Sequence, residues 1–305
     1  MSLLPVDWVI AAYNLILIVV WMPHVADSSV ARWMIGVHSA ALSLPWVLAR
    51  VRSPWWGTRA LREVYPILFL LVFWRELGLH WEVVGSAAND AYVARLDQAL
   101  FGANWSAVWA PAMPMRWLGD VMQSIYFAYY VVCAAMLVHL VFGRGRDTMR
   151  ETTLRMVLVY AAAYAVYAIA PTVGPMWMHE FPRFAGPGVH GLARGLNDAL
   201  QTAGDAPGTA FPSTHVAGAV TLAWLAWRYY SRPIAWAVTG LAAAIAPATV
   251  YTQNHFVLDA VGGALLACWC QGWLVPRLTA RRADRRWPVV HGLAPQLAVQ
   301  EPEAA

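Results

Sequence analysis

The chain has 305 residues, 60% of them hydrophobic and only 12% charged, with a formal net charge of +4. A soluble domain of this length carries about twice that charged fraction, so the composition excludes an ordinary soluble enzyme and points to a membrane protein. All 21 basic residues are arginine. They gather in short loops between apolar runs, so the positive charge is no sign of a nucleic-acid partner.

Apolar runs near the length a bilayer requires predict about eight spans. In chain order they are Val6–Met22, Ala31–Leu48, Val64–His80, Leu118–Phe142, Leu154–Ala170, Thr214–Tyr230, Ile234–Thr252 and Phe256–Val275. The first lacks a basic leader and a small-residue cleavage site, and reads as a retained span. Eighteen tryptophans and twelve tyrosines fit aromatic belts at both interfaces. Cys133, Cys268 and Cys270 lie inside apolar runs and read as packing residues, with no metal-thiolate site. The expected fold class is therefore all-α, a polytopic membrane helical bundle with interfacial helices in its outer loops. Residues 1–287 read as a single integral-membrane domain, and 288–305 as a disordered cytoplasmic tail.

Arginine placement orients the bundle. With a cytoplasmic N-terminus, the inward connections hold Arg50, Arg52, Arg59 and Arg62, then Arg144, Arg146, Arg150 and Arg155, then Arg228 and Arg232. The tail adds Arg277, Arg281, Arg282, Arg285 and Arg286. That is about fifteen inside, against about five outside (Arg32, Arg95, Arg116, Arg183, Arg194), as the positive-inside rule requires. Both termini are expected in the cytoplasm of a bacterial inner or plasma membrane.

Two outward connections are long. Trp81 to Trp117 carries Leu96, Ala99, Leu100 and Trp105 in a weak amphipathic pattern, with Asp90, Arg95 and Asp97 on other positions, which predicts a helix in the interface. Pro171 to Ala210 is rich in Gly and Pro, with a short helix expected around Leu192–Leu200. His179 in this loop reads as a surface or interfacial residue.

The chemistry concentrates between Phe211 and Asp259. His255 and Asp259 are four apart at the start of the last span and share one helix face. A carboxylate there holds the tautomer of the imidazole and stabilises its cation. At the other end, Ser213 can cap the sixth span while Thr214 and the free first-turn amides face the loop, an arrangement that binds phosphate. His215 lies on that first turn, placed to give a proton to a leaving oxygen. The path of the two spans returns both histidines to one face, which is extracytoplasmic on this topology.

Pro212-Ser213-Thr214-His215 and His255-Phe256-Val257-Leu258-Asp259 resemble the two-histidine motifs of the type-2 phosphatidic acid phosphatase superfamily. The resemblance implies His255 as nucleophile, Asp259 as its orienting partner, His215 as general acid, and chemistry without a metal or other cofactor. Two cationic ligands of that superfamily are missing: the chain has no lysine, and Ala248-Thr249 stands where Ser-Arg is usual. Leu96–Gly102, Pro171–Pro175 and Gly208–Phe211 look similar to the inositol phosphorylceramide synthase-like branch, which tolerates such losses.

Something must still neutralise phosphate. Arg75, in the third span beside Glu76, reads either as an ion pair fixing the bundle or as a substrate ligand. Arg183 and Arg194 are the other cationic candidates. Tyr126 and Tyr130 read as packing residues, and Asp97 as a helix cap. The function expected is a membrane lipid phosphotransferase or phosphatase acting through a phosphohistidine, its partners being membrane lipids. A transporter with a His/Asp relay is the rival, but the last two spans offer little polar continuation below Thr252 and Asp259.

Overall fold

The computed structural model describes residues 3–51, 55–85, 88–178, 181, 183–186 and 191–280. The expected tail 288–305, His179, and Arg52, Arg281, Arg282, Arg285 and Arg286 lie outside the described residues. The described helices are α1 (Pro5–Trp21), α2 (Ser29–Arg50), α3 (Trp56–Val84), α4 (Ala88–Phe101), α5 (Trp105–Ala112) and α6 (Arg116–Phe142). They continue as α7 (Arg146–Ile169), α8 (Leu192–Gly204), α9 (Thr214–Tyr229), α10 (Arg232–Tyr251) and α11 (Val257–Trp269), which runs through a π turn into α12 (Val275–Ala280). Among the described residues there is no strand, only an isolated parallel bridge between Thr172 and Thr209.

Helices stand at all eight expected places. Among the described residues, five stretches are long and apolar enough to cross a membrane by length and composition: Pro5–His24, Arg116–Phe142, Arg146–Ile169, Arg232–Tyr251 and Val257–Ala280. The chain is thus a helical integral membrane protein by this measure.

The bundle is built around α7. Its Leu154, Val157, Leu158, Ala161 and Tyr164 belong to one apolar cluster with α1, α2 and α3. Met156 on its other side belongs to a second cluster with α6, α9 and α10. Alanines at 161, 163 and 168 are buried there, and small side chains let helix backbones approach closely without a hydrophobic drive from lipid.

One end of the bundle is held by shared ion pairs. Glu63 of α3 takes both Arg146 (2.6 Å) and Arg150 (2.7 Å) of α7, and Glu151 takes Arg155 (2.9 Å) and Arg228 (2.7 Å). Arg155 also donates to Gln271 (2.9 Å), whose amide donates to Thr221 (3.2 Å). The sequence expectation of little polar continuation in the last span is corrected by this buried glutamine.

The other end is where α9 and α11 begin. The Ser213 N–H donates to the Asp259 carbonyl (2.9 Å), so the two helix starts are bonded backbone to backbone. Such an approach needs a glycine, and Gly263 provides it: a Cβ there would collide with the Ser213 carbonyl. Gly240 of α10, by contrast, faces open space. Gly263→Ala is expected to lower the unfolding temperature in detergent, through an overpacking cost of about 1–3 kcal/mol. Gly240→Ala should leave it unchanged or slightly raised. Equal melting of the two variants would contradict this account.

Candidate active site

Each core motif is braced by an outer loop. The Pro171–Pro175 and Gly208–Phe211 stretches lie side by side: Thr172 N–H donates to Gly208 O (3.2 Å), Ala210 N–H to Thr172 O (2.8 Å) and Phe211 N–H to Thr172 Oγ1 (2.9 Å). Tyr167 of α7 donates to the Pro212 carbonyl (2.5 Å). Ser213 Oγ accepts from Val216 N–H (3.4 Å) and caps α9. The next side chains, Thr214 and His215, line a cavity.

His255 is aimed by a tight return from α10. Gln253 there has φ +62°, a left-handed conformation that costs a non-glycine residue roughly 1–2 kcal/mol. It is held because the Thr249 carbonyl accepts from both Asn254 N–H (2.9 Å) and His255 N–H (3.2 Å). Thr249, where an arginine was looked for, is fully buried and serves this turn through its backbone. The Gln253 side chain accepts from Phe184 N–H (2.7 Å).

The start of α11 is closed by two carboxylates. Asp259 Oδ2 accepts from Phe256 N–H (2.8 Å) and lies 3.4 Å from His255 Nδ1. That contact is at ion-pair distance and not a well-formed hydrogen bond, since among the described residues Nδ1 has no hydrogen-bond partner. It turns the other ring nitrogen, Nε2, away from the carboxylate. Asp97 Oδ1 accepts from Leu258 N–H (2.8 Å), so Asp97 caps α11 rather than its own helix. Asp90 accepts from Val173 N–H (2.7 Å) and Gly174 N–H (3.2 Å).

A helix, α4, stands where the interfacial helix is expected. Asp90, Val93, Ala94 and Asp97 form its buried face, while Leu100 is exposed. Two aspartates turn inward because three amides, those of Val173, Gly174 and Leu258 at the start of α11, need acceptors.

The two imidazoles meet. The His215 and His255 ring centroids are 5.7 Å apart at an interplanar angle of 61°. His215 Nε2 is hydrogen-bonded to Tyr130 OH (2.8 Å), and its Nδ1 has no partner among the described residues. Tyr126 (4.7 Å) and Tyr129 (5.2 Å) pack against the same ring. Tyr129 OH is also bonded to Tyr160 OH. Gly218, whose Cβ would strike both hydroxyls, makes room for that pair. Tyr126 and Tyr130 thus belong to the site, correcting their reading as packing residues; their face on α6, shared across a helical turn, was the available signal.

Both histidines open into one cavity of about 290 Å³, walled by tyrosines of α6 and α7, Trp74 of α3, Trp177, and Asp205 at the end of α8. The cationic candidates lie elsewhere. Arg75 is exposed and absent from the cavity wall. Glu76 bonds to His38 (2.6 Å) and Trp21 (2.9 Å), not to Arg75. Arg183 and Arg194 line a narrow hollow that shares Gln201 and Asn254 with the cavity, and Arg194 is bonded to Asp198 (2.7 Å). Ser213 is buried under its cap and also does not reach the wall.

A family model described as PAP2 superfamily matches residues 91–273, more than half of the chain. The chain belongs to the PAP2 superfamily. No curated protein and no solved structure gives a match. The match spans α4 to the π turn and so contains both histidines and the loops that brace them. Membership supports a phosphatase- or phosphotransferase-type function on lipid-like phosphates. Among the described residues no cluster of His, Cys, Asp and Glu fits a metal ion.

Two outcomes follow for this PAP2 protein. Tyr130→Phe removes the hydrogen bond to His215 and is expected to cut turnover about tenfold, the worth of one such bond, with KM nearly kept. Unchanged turnover would detach Tyr130 from the site. Burial pushes the Asp97 carboxyl up to about 6. A raised folded value means the folded state holds the proton more tightly, so this contribution to stability is present at low pH and is lost as pH rises through about 6. Asp97→Asn keeps an acceptor for Leu258 N–H and removes the charge. Its unfolding temperature should therefore fall less than that of the wild type between pH 5 and 7.5, and parallel curves would refute the assignment.

Proposed function

We propose that this protein is a membrane lipid phosphotransferase working through a phosphohistidine. The observation that carries the reading is the meeting of two imidazoles 5.7 Å apart over one cavity, with a carboxylate 3.4 Å behind one of them. Phosphoryl transfer asks little covalent chemistry of a protein beyond positioning and charge stabilisation. A nucleophile with an oriented ring and a proton donor on the opposite side meet that requirement.

In the first step the lone pair of His255 Nε2 attacks phosphorus and the P–O bond to the leaving alcohol breaks. His215 gives its proton to the departing oxygen. Asp259 holds the charge on the substituted ring, with its other bond to Phe256 N–H fixing its place. In the second step an acceptor hydroxyl attacks phosphorus, its proton passes to His215, and the N–P bond breaks to restore His255. Thr214, which lines the cavity at the positive end of α9, is placed to receive a phosphate oxygen. Arg183 and Arg194, across Gln201 and Asn254, are the nearest cations.

The transfer of a phospho-headgroup between lipids or alcohols, as in inositol phosphorylceramide synthase-like enzymes, is the leading form. The observation favouring it over plain hydrolysis is the absence of arginine from the described cavity wall, where a phosphatase of free phosphomonoesters would need it. The same reading takes the eight helices as eight crossings of the plasma membrane in one domain. Both termini then lie in the cytoplasm and the histidines outside. The clustering of Arg146, Arg150, Arg155 and Arg228 at the opposite end of the bundle supports that orientation.

His255→Ala and His215→Ala are each expected to lower turnover of labelled lipids at least a thousandfold while the protein remains folded. Brief incubation of the wild type with substrate should leave an acid-labile, base-stable phosphate on His255. Retained activity in either variant would sink the mechanism.

A further inference from the structure

The cavity that holds the histidines has an unusual wall for a site that receives phosphate. Among its described residues there is no arginine, and the charged side chain it does contain, apart from the histidines, is a carboxylate, Asp205. Among the rest are five tyrosines and two tryptophans. Trp74 is fixed beside Asp205 by a hydrogen bond from its indole N–H to the Gly204 carbonyl (2.5 Å). Tyr164 packs against Trp74 with centroids 5.6 Å apart. Trp177, half-exposed, interacts with the Asp205 carboxylate through its indole.

The charge balance of this wall restricts what can enter. A phosphomonoester or a diphosphate brings two or more negative charges, and desolvating them beside a carboxylate without a facing cation is costly. A zwitterionic phosphodiester brings one negative charge and its own positive one, so its headgroup has no net charge to bury. Its ammonium needs an anion and aromatic faces. Cations are bound over Trp and Tyr rings by the ring quadrupole, and quaternary ammonium groups are received by aromatic cages.

We propose that the cavity selects lipids whose phosphodiester headgroup carries an ammonium, with Asp205, Trp74, Tyr164 and Trp177 receiving the ammonium while the phosphorus faces the histidines. This inference deepens the phosphoryl-transfer reading and rests on it. It gives the site two subsites of opposite sign. The start of α9, where Thr214 and His215 line the cavity, takes the phosphate, and the end of α8 takes the cation. Burial pushes the Asp205 carboxyl above its ordinary value, opposed by the Ala206 N–H, His255, the Trp177 indole and the more distant Arg183, and a bound ammonium would favour its ionised form further. Arg183 and Arg194 line the neighbouring hollow and not this wall, although the charge of Arg183 reaches Asp205 from there.

The test separates headgroup choice from catalysis. Purified full-length protein carrying His255→Ala is titrated by calorimetry with dihexanoyl-phosphatidylcholine, dihexanoyl-phosphatidylglycerol and dihexanoyl-phosphatidate. The choline lipid is expected to bind at least tenfold more tightly than the other two. Adding Asp205→Asn, or Trp177→Leu as a second variant, should erase most of that preference. In otherwise wild-type protein these changes should raise KM for the choline lipid more than they lower kcat. Equal or reversed affinities, no binding of the choline lipid, or a preference untouched by both substitutions would overturn the proposal. Turnover that survives His255→Ala would instead overturn the phosphohistidine reading, and the binding preference would still be measured.

Discussion

One backbone hydrogen bond governs the site. The Ser213 N–H donating to the Asp259 carbonyl brings the first turns of two helices into contact, and each carries its histidine one turn away. The bond is possible because residue 263 has no side chain to keep the helices apart. In water such a contact would be one among many; in a bilayer, where apolar side chains gain little by leaving lipid, close backbone approach and internal hydrogen bonds do most of the positioning. The distance between the imidazoles is a consequence of that contact.

The irregular segments around it are bound by the same logic. Backbone amides at membrane depth must find acceptors within the protein. Asp90 serves the amides of Val173 and Gly174, Asp97 that of Leu258, and Asp259 that of Phe256. Three carboxylates thus gather near the start of α11. Asp97 and Asp259 occupy the amides of that helix start and close it to anions. The carboxylate behind His255 therefore has two tasks, capping a helix and facing a ring.

A phosphate site without lining cations asks where its charge is met. In the proposed reaction the answer is shared between helix amides, a protonated imidazole and the substrate itself. The tyrosines around His215 fit this account. They keep the ring in a dry, aromatic setting and fix one of its nitrogens, so that the other is left for the substrate. The arginines instead concentrate at the far end, where two glutamates bind four of them and hold α3, α7 and α9 together.

Much of this was legible from the residues. Apolar length set the helices, arginine spacing gave an orientation to expect, and the four-residue separation of His255 and Asp259 put them on one helix face, because helical periodicity is a local property. The cap at Ser213 and the short helix after Leu192 were local too. What the sequence could not decide was which faces turn inward and which distant side chains meet. Periodicity marked an apolar side of α4 but not that its aspartates would serve the remote amides of Val173, Gly174 and Leu258. Tyr130 reaching His215, Glu76 choosing His38 over its neighbour Arg75, and Asp205 entering the histidine cavity all depend on how helices far apart in the chain are packed. Helix formation and chemistry-bearing spacing are written in neighbouring residues; the sign and shape of the cavity arise only when α3, α6, α7, α8, α9 and α11 are brought together.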